Sequence, residues 1–204
     1  MIDGFSLIDI ISLIVSILIA MTVHEAVHAY VGLRLGDDTA AEEGRISLNP
    51  LRHIDPFATV LLPIITFMLF QVPVLAARPV PFSPNRVKYS EFGAALIAFA
   101  GPLSNLLLAV IAALFLRLGV GGSFLVQPLY LFISLNVSLF IFNLIPIPPL
   151  DGSRVLYAFA PEVLQGLMRQ IESFGLVIIF ALVLVGGFGS LLANLNHSIL
   201  RLIL

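Results

Sequence analysis

The apolar runs of this sequence constrain its fold more than any other feature. Residues 5–31 are apolar except for a few serines and threonines, Asp9 and a short polar motif near the end. Further apolar runs follow, and about 20 such residues are enough to cross a bilayer as a helix. The 204 residues are 59% hydrophobic and 11% charged, whereas a soluble domain has about 25% charged residues. The chain is therefore predicted to be an integral membrane protein.

The predicted fold is an all-α polytopic membrane protein with about four transmembrane helices in a single domain, residues 1–204. A short amphipathic helix is expected at the membrane surface over residues 152–171. A short tail with a solvated His197 is expected over residues 194–204. The predicted transmembrane helices cover residues 5–35, 92–118, 124–144 and 174–192.

Two further segments interrupt this helical pattern. Residues 57–77 are apolar but contain Pro63 and Pro73. Because proline removes helical hydrogen bonds, we predict a proline-broken re-entrant segment there. Residues 44–48 alternate polar and apolar side chains, as a short strand does. This membrane-associated β element would either pair with an extended peptide or serve as an ordinary connection.

Residues 22–28 contain the spacing His-Glu-x-x-His. On a helix, His24 and His28 lie four positions apart and project from one face, where both imidazoles can bind one metal ion. Neutral imidazole suits Zn²⁺, and Glu25 would lie beside the ion as a general base. Polar and charged side chains at membrane depth are costly and usually mark function. The alternative is a pair of buried histidines bonded to the backbone.

A third ligand is expected near the proline-rich segment that follows the predicted helix 124–144. Residues 146–149 contain three prolines, which abolish helical bonding. An unwound segment at membrane depth has to be buried in protein or line a cavity. Asp151 follows this segment and is the candidate ligand, and two imidazoles with one carboxylate leave the fourth position of zinc open for water. The alternative is that Asp151 caps the next helix.

Two more polar residues are candidates for the same site. Asn105 lies within the predicted helix 92–118, at the end of the sequence Gly-Pro-Leu-Ser-Asn. It would either handle substrate or hydrogen-bond a neighbouring helix. His53 lies in the polar segment after the first apolar run. It would contact metal or substrate, or else remain an imidazole at the surface of a loop.

Three motifs in this chain, taken together, resemble the site-2 protease family of intramembrane zinc metalloproteases, in its short form without a PDZ domain. The combination is more specific than any one motif, and the similarity extends over roughly residues 15–160. The motifs are residues 24–28, residues 101–105, and residues 143–146 followed by 150–152.

The resemblance implies one Zn²⁺ bound within a core of about residues 5–160. It also implies that Glu25 activates water, while Asn143 and Asn105 stabilise the oxyanion or hold the substrate backbone. The family cleaves transmembrane helices of signalling proteins, so a transmembrane protein substrate and the lipid bilayer are the implied partners. The implied zinc ligands are His24, His28 and Asp151.

The predicted function is therefore hydrolysis of peptide bonds within the membrane. One alternative is a membrane-anchored zinc protease acting on juxtamembrane or soluble chains, against which the depth of the histidines argues. Another is a non-enzymatic metal-binding or transport protein, which has no need of Glu25. No basic patch indicates a nucleic acid partner. The absence of cysteine excludes disulfides and thiolate metal sites.

Two arguments together predict the topology. His24 and His28 lie near the end of the predicted helix 5–35, and Asp151 follows the predicted helix 124–144. If these residues share a metal, both helices must end on the same side of the membrane, which requires an even number of crossings between the two helix ends. Three apolar segments lie between those ends, so one of them fails to cross. If residues 57–77 return, only Arg117 and Arg201 of the 10 Lys and Arg residues lie on the far side. The positive-inside rule then makes the zinc-proximal face cytoplasmic, in the cell membrane of a prokaryote.

Because the chain contains no cysteine, single cysteines can test this topology with an impermeant thiol reagent on intact cells. We expect the Gly122→Cys protein to be labelled from outside and the Asn85→Cys protein to be protected. The opposite pattern would show that residues 57–77 span the membrane.

Overall fold

The computed structural model describes residues 6–61, 68, 80–81, 83, 86–184 and 187–204. Within these ranges the secondary structure is helical and contains no β-strand. A 3-10 turn at Pro50–Arg52 and a π-helical stretch at Pro56–Leu61 follow the second α-helix. The α-helices are α1 (Leu7–Arg34), α2 (Thr39–Glu42), α3 (Ser90–Arg117), α4 (Gly122–Asn143), α5 (Asp151–Phe159), α6 (Glu162–Glu172), α7 (Gly175–Leu184) and α8 (Phe188–Ile203).

Helices α1, α3 and α4 are long and apolar enough to cross a membrane, with 28, 28 and 22 residues. They agree with three of the four predicted transmembrane helices, and each packs against the other two. Small side chains at such contacts let helix backbones approach closely. Those buried on α1 and α3 include Ala20, Ala29, Gly93, Ala94, Ala98, Gly101, Ala109, Ala112 and Ala113.

Local hydrogen bonds define both ends of α1. At its start, the Ser6 hydroxyl accepts from the Asp9 N–H at 3.2 Å, and the Asp9 carboxylate accepts from the Ser6 N–H at 3.0 Å. This reciprocal capping box explains the carboxylate near the start of the first apolar run. At its end, Gly36 takes the left-handed φ of +99°, which glycine adopts readily after a helix. The polar motif therefore has a defined position along the helix.

Asp37, just beyond α1, connects this helix end to the segment before α3. Its carboxylate accepts hydrogen bonds from the Ser83 N–H at 2.6 Å and from the Thr39 N–H and hydroxyl at 3.1 and 2.5 Å. Burial alone would raise the pKa of Asp37, but these hydrogen bonds outweigh it and hold the pKa below its ordinary value. The Lys88 N–H also donates to the Leu35 carbonyl at 2.8 Å. Together these bonds hold α1 and α3 in register.

The short strand predicted over residues 44–48 does not form in this structure. Instead, Gly44 has a φ of +68°, and its N–H donates to the Ala41 carbonyl while the Arg45 N–H donates to the Ala40 carbonyl, both at 2.9 Å. This pair of bonds is a Schellman motif that ends α2. The Arg45 side chain is buried and donates to the Arg52 carbonyl at 2.6 Å. The prediction of a strand was wrong because the alternating polar and apolar side chains of residues 44–48 belong to the turn that caps α2.

The C-terminal third also differs from prediction, since two continuous helices are each divided. The amphipathic helix expected over residues 152–171 consists of α5 and α6, because Pro161 forces the preceding Ala160 into an extended conformation with a ψ of 142°. The transmembrane helix expected over residues 174–192 is divided between α7 and α8, with Gly187 at a φ of +100°. The expected tail is the continuation of α8.

The predicted re-entrant segment, residues 57–77, lies mostly outside the described residues. Only residues 57–61 and 68 of it are described, so both Pro63 and Pro73 fall outside. The return of this segment to the same membrane face stays a prediction.

Candidate metal centre

The two motif histidines on α1 meet the first residue of α5. The Nε2 atoms of His24 and His28 lie 3.0 Å apart, and the Oδ2 atom of Asp151 lies 3.1 Å from the first and 3.4 Å from the second. A tetrahedral zinc ion with bonds of roughly 2.0–2.1 Å places its ligand atoms about 3.3 Å apart. The three side chains predicted as ligands therefore form one group of suitable size.

The hydrogen bond made by the Nδ1 atom of each imidazole determines whether its Nε2 atom can bind a metal. The Nδ1 atom of His28 lies 2.7 Å from the carbonyl oxygen of Ile97. Because a carbonyl only accepts, this nitrogen carries the proton, and the Nε2 atom of the neutral ring presents a lone pair. The Nδ1 atom of His24 likewise faces the Oδ1 atom of Asn105 at 2.6 Å. Two lone pairs and a carboxylate thus meet at about 3 Å, which suits a bound cation.

The orientation of the Asn105 amide is set by a network that crosses three helices. Its Nδ2 group donates to the Ala20 carbonyl on α1 at 3.2 Å and to the Oδ1 atom of Asn136 on α4 at 3.0 Å. Asn136 in turn donates to the Phe132 carbonyl at 2.9 Å. Both asparagines are 0% exposed. With both amide hydrogens engaged, the carbonyl side of Asn105 faces His24 and accepts the Nδ1 proton.

Gly101 allows α3 to lie directly against the imidazoles. A Cβ atom at this position would lie 2.3 Å from the Nε2 atom of His28 and 2.8 Å from the Cε1 atom of His24, closer than atoms can approach without displacement. The adjacent Pro102 lies inside α3 and has no N–H to donate, which loosens the preceding turn. The Ile97 carbonyl that orients His28 belongs to this turn. The Gly-Pro pair thus shapes one wall of the metal centre.

Asp151 reaches the centre because α4 ends before it. Residues 144–150 contain three prolines and lie between α4 and α5. Asp151 is the first residue of α5, Leu150 occupies the capping position, and no side chain caps this helix. The alternative role of Asp151 as a helix cap is therefore not supported. A Cβ atom on Gly152 would lie 2.2 Å from the Leu144 carbonyl, so glycine permits this close junction.

Asp151 completes the group as its carboxylate member. Its Oδ2 atom faces the Nε2 lone pairs of His24 and His28, and the ionised carboxylate is the form that binds a metal ion.

Glu25 is buried beside the three candidate ligands without belonging to the group that they form. The histidines, Asp151 and His53 all lie within electrostatic range of its carboxyl group. Its side chain makes no hydrogen bond to any other residue that the structure describes. This is the arrangement expected of a general base that takes a proton from a bound water molecule and does not itself bind the metal.

Two other candidate residues lie in different surroundings. Asn143 is the last residue of α4, and its Nδ2 group donates to the Leu139 carbonyl of the same helix at 3.0 Å.

For His53, the sequence left two alternatives, a contact with the site or an imidazole at the surface of a loop. His53 is 1% exposed, so the surface alternative was wrong. His53 is also not part of the metal-binding group. Asn136 was not among the predicted site residues, because its only signal in the sequence is a polar amide within an apolar run.

Replacing Gly101 by alanine tests the fit between α3 and the imidazoles. Because the added methyl group would overlap both rings, we expect Gly101→Ala to weaken zinc binding by about 10²-fold or more. Competition with a chelator on purified protein measures this affinity. Gly166→Ala on α6 is the matched control, since a Cβ atom there meets nothing within 4 Å. Wild-type affinity in Gly101→Ala would contradict the described packing.

Replacing Asn136 by leucine tests the network behind His24. Without its acceptor, Asn105 is free to rotate and the Nδ1 proton of His24 is no longer held, so we expect zinc affinity to fall by about 10–100-fold. Asn196→Leu is the control, because Asn196 donates to the Ser134 carbonyl and Ser138 hydroxyl on the same helix α4. Equal losses in the two variants would reduce Asn136 to a helix-packing residue.

Comparisons with known proteins identify the family of this chain. The model of peptidase family M50 matches residues 120–186. A relative from Bacillus subtilis, provisionally named zinc metalloprotease YwhC, is 37% identical over 179 residues, covering 83% of this chain and 78% of the relative.

Two relatives provisionally named zinc metalloprotease Rip2 are more distant. The protein from Mycolicibacterium smegmatis and that from Mycobacterium tuberculosis H37Rv are each 27% identical to this chain, which spans 64% of their length. No solved structure is significantly similar to this chain. The identity and coverage of the Bacillus subtilis relative show that the chain belongs to peptidase family M50, the site-2 protease family, and is a zinc-dependent membrane peptidase.

Proposed function

We propose that the protein hydrolyses peptide bonds within transmembrane segments of membrane proteins, including signalling proteins. The observation that carries this proposal is the position of the metal centre along α1. His28 and His24 lie six and ten positions before Arg34, the last residue of this candidate transmembrane helix. At about 1.5 Å per residue, they lie roughly 9 and 15 Å from the end of the helix. A substrate bond cut there would lie within the membrane.

The roles of the metal-site residues follow from their geometry. His24, His28 and Asp151 would hold Zn²⁺, which supplies Lewis acidity and lowers the pKa of a bound water molecule. Glu25 would accept the proton of the attacking water and transfer it to the leaving amine nitrogen. Its burial beside the ligands and its lack of a hydrogen-bond partner among the described residues support this role.

Asn105 and Asn143 are proposed to have separate roles. The hydrogen bonds of Asn105 to His24, Ala20 and Asn136 favour orientation of the histidine over binding of substrate. Asn143 keeps one amide hydrogen beyond its bond to Leu139 and lies where α4 gives way to the unwound segment. Donation of that hydrogen to the oxyanion or to the substrate backbone is the role that this position supports.

The substrate has to unwind before it can be cut, because a transmembrane helix engages its carbonyl groups in internal hydrogen bonds. Residues 144–150 offer a non-helical backbone beside Asp151. We propose that this segment receives the unwound peptide. The catalytic core would comprise about residues 5–160, within a single domain that covers residues 1–204.

The zinc site is proposed to lie nearer the cytoplasmic face of a prokaryotic cell membrane. The distribution of Arg and Lys supports this orientation through the positive-inside rule. The family assignment decides against a non-enzymatic metal carrier. Cleavage of juxtamembrane or soluble chains is the remaining alternative, and mapping the cut in a substrate distinguishes it from cleavage within the apolar segment.

Glu25→Gln tests the assignment of the general base. Because Glu25 moves protons and is not a ligand, we expect zinc to stay bound while the cleavage rate falls by about 10²–10⁴-fold. Substrates are identified as membrane fragments that differ between cells with active protein and cells with the variant. Asp151→Ala is the companion variant and should lose both zinc and activity. Substantial activity in Glu25→Gln would contradict the proposed mechanism.

A further inference from the structure

Helix α8 has a polar stripe that the rest of the described structure leaves exposed. Its members share one helix face, because they are spaced four, three and four residues apart. They are Ser190, Asn194, His197 and Arg201. The side chain of Asn194 makes no hydrogen bond to a described residue. Arg201 donates from Nε to the Nε2 atom of His197 at 3.0 Å, and none of the described carboxylates lies within ion-pair distance of it.

The contacts of α8 place this stripe at membrane depth. Asn196 donates to the Ser134 carbonyl at 2.9 Å and to the Ser138 hydroxyl at 2.7 Å, both within the candidate transmembrane helix α4. At the end of α3, Arg117 donates to the Leu204 carbonyl at 3.2 Å. Helix α8 therefore runs antiparallel to α4. Polar side chains in such a position are costly unless they face water, a cavity or a polar partner.

A crevice of about 580 Å³ lies beside the stripe, between residues 130–142 of α4 and residues 192–200 of α8. At about 1.5 Å per residue, this length of α4 corresponds to roughly 18 Å. Three residues of α4 with hydroxyl groups line this α4–α8 crevice, together with His197 of the stripe. Polar side chains hold transmembrane helices together, so a long crevice with a polar wall suits a further helix.

Charge and position indicate which helix the crevice accepts. Arg201 gives the stripe a positive end, which complements a helix with an acidic side chain at the same level. A second copy of this chain would have the same orientation in the membrane, so a two-fold contact along the stripe would bring Arg201 against its equivalent. The other end of the crevice reaches Phe142. This residue is adjacent to Asn143, after which the unwound residues 144–150 begin.

We infer that the α4–α8 crevice docks the transmembrane helix of the substrate, with an acidic side chain of that helix paired to Arg201. This inference rests on the proposed peptide hydrolysis and names the class of substrate that is selected. The part of the substrate beside residues 130–142 stays helical. The part beyond Phe142 passes the end of α4, unwinds and follows residues 144–150 towards Asp151. The selected substrates carry an Asp or Glu near the membrane face at which α8 ends.

Disulfide crosslinking to a synthetic probe tests the docking, because the chain contains no cysteine. The probe is a transmembrane peptide of about 20 leucine, alanine and serine residues, with one central cysteine and an aspartate at one end. The protein carries Glu25→Gln, so that the probe is not cut, and is reconstituted in lipid vesicles. Ala193→Cys places a thiol in the crevice. Leu195→Cys is the matched control, since Leu195 is exposed on α8 outside the crevice.

We expect the probe to crosslink to the Ala193→Cys protein and not to the Leu195→Cys protein. A crosslink between two copies of the Ala193→Cys protein without probe would overturn the inference, because the crevice would then be a contact between copies. Equal crosslinking of the probe at both positions, or none at either, would also overturn it, because the crevice would then hold only lipid.

Arg201→Gln tests the charge pairing, with a second probe that has lysine in place of the aspartate. We expect the Glu25→Gln protein to bind the aspartate probe about 5- to 30-fold more tightly than the lysine probe, and Arg201→Gln to remove this preference. Arg117→Gln is the matched control, since it removes another arginine near the end of α8 that does not line the crevice. A preference that survives Arg201→Gln, or that Arg117→Gln also removes, would overturn the assigned pairing.

Docking is measured without cleavage, so its failure is distinguishable from failure of the proposed function. If the probe crosslinks in the crevice but the wild-type protein does not cut it, the proposed hydrolysis is contradicted while the docking site stands. If the wild-type protein cuts the probe within its apolar segment and no crosslink forms at Ala193→Cys, the hydrolysis stands and the docking inference is overturned.

Discussion

The rest of the structure depends on the meeting of three hydrogen-bond acceptors in an apolar setting. The Nε2 lone pairs of His24 and His28 and the carboxylate of Asp151 lie within 3.4 Å of one another. Such a group repels itself unless a cation binds it, and a low dielectric strengthens both the repulsion and the binding. The same geometry that would be unstable without a cation therefore suits a zinc ion, and the surrounding helices have to hold the three groups together.

Buried polar groups in the long helices divide into those with partners and those without. Asn105 uses its amide group fully, and Asn136 accepts from Asn105 and donates to the Phe132 carbonyl. Ser104 donates to the Gly101 carbonyl, and His28 donates to the Ile97 carbonyl. The bonds of Asn105 to Ala20, Asn136 and His24 cross between helices, as does that of His28 to Ile97, whereas the others lie within one helix. The exception among the buried side-chain atoms of the described residues is the Nδ1 atom of His53, which lies in the segment after α2.

The part of this architecture that follows from local sequence was predictable. The helices α1, α3 and α4 arise from apolar runs, and the pairing of His24 with His28 follows from helical periodicity alone. The strand over residues 44–48 was wrong because alternation over five residues does not distinguish a strand from a capped turn. The divisions at Pro161 and Gly187 carried a local signal, since proline and glycine commonly end helices.

The part that depends on tertiary contacts was not predictable from one sequence. A single asparagine in an apolar helix has no periodic pattern that identifies its partner, so Asn136 was missed and the role of Asn105 was left open. His53 shows no sequence signal for burial, because its environment is formed by the loop folding onto α1. Gly101 belonged to a recognised motif, yet its contact with the imidazoles appears only when α3 packs on α1.

Helix α4 links the two halves of the metal centre. Asn136 on this helix orients the Asn105 amide, which accepts the Nδ1 proton of His24. Residues 144–150, which follow α4, place Asp151 beside the histidines. A displacement of α4 would therefore disturb the tautomer of one proposed ligand and the position of another at the same time. Helix α1 carries the two histidines, but alone it lacks both the proposed third ligand and the group that orients His24. Zinc held by these residues would consequently be coupled to the packing of α1, α3 and α4, and would in turn stabilise that packing.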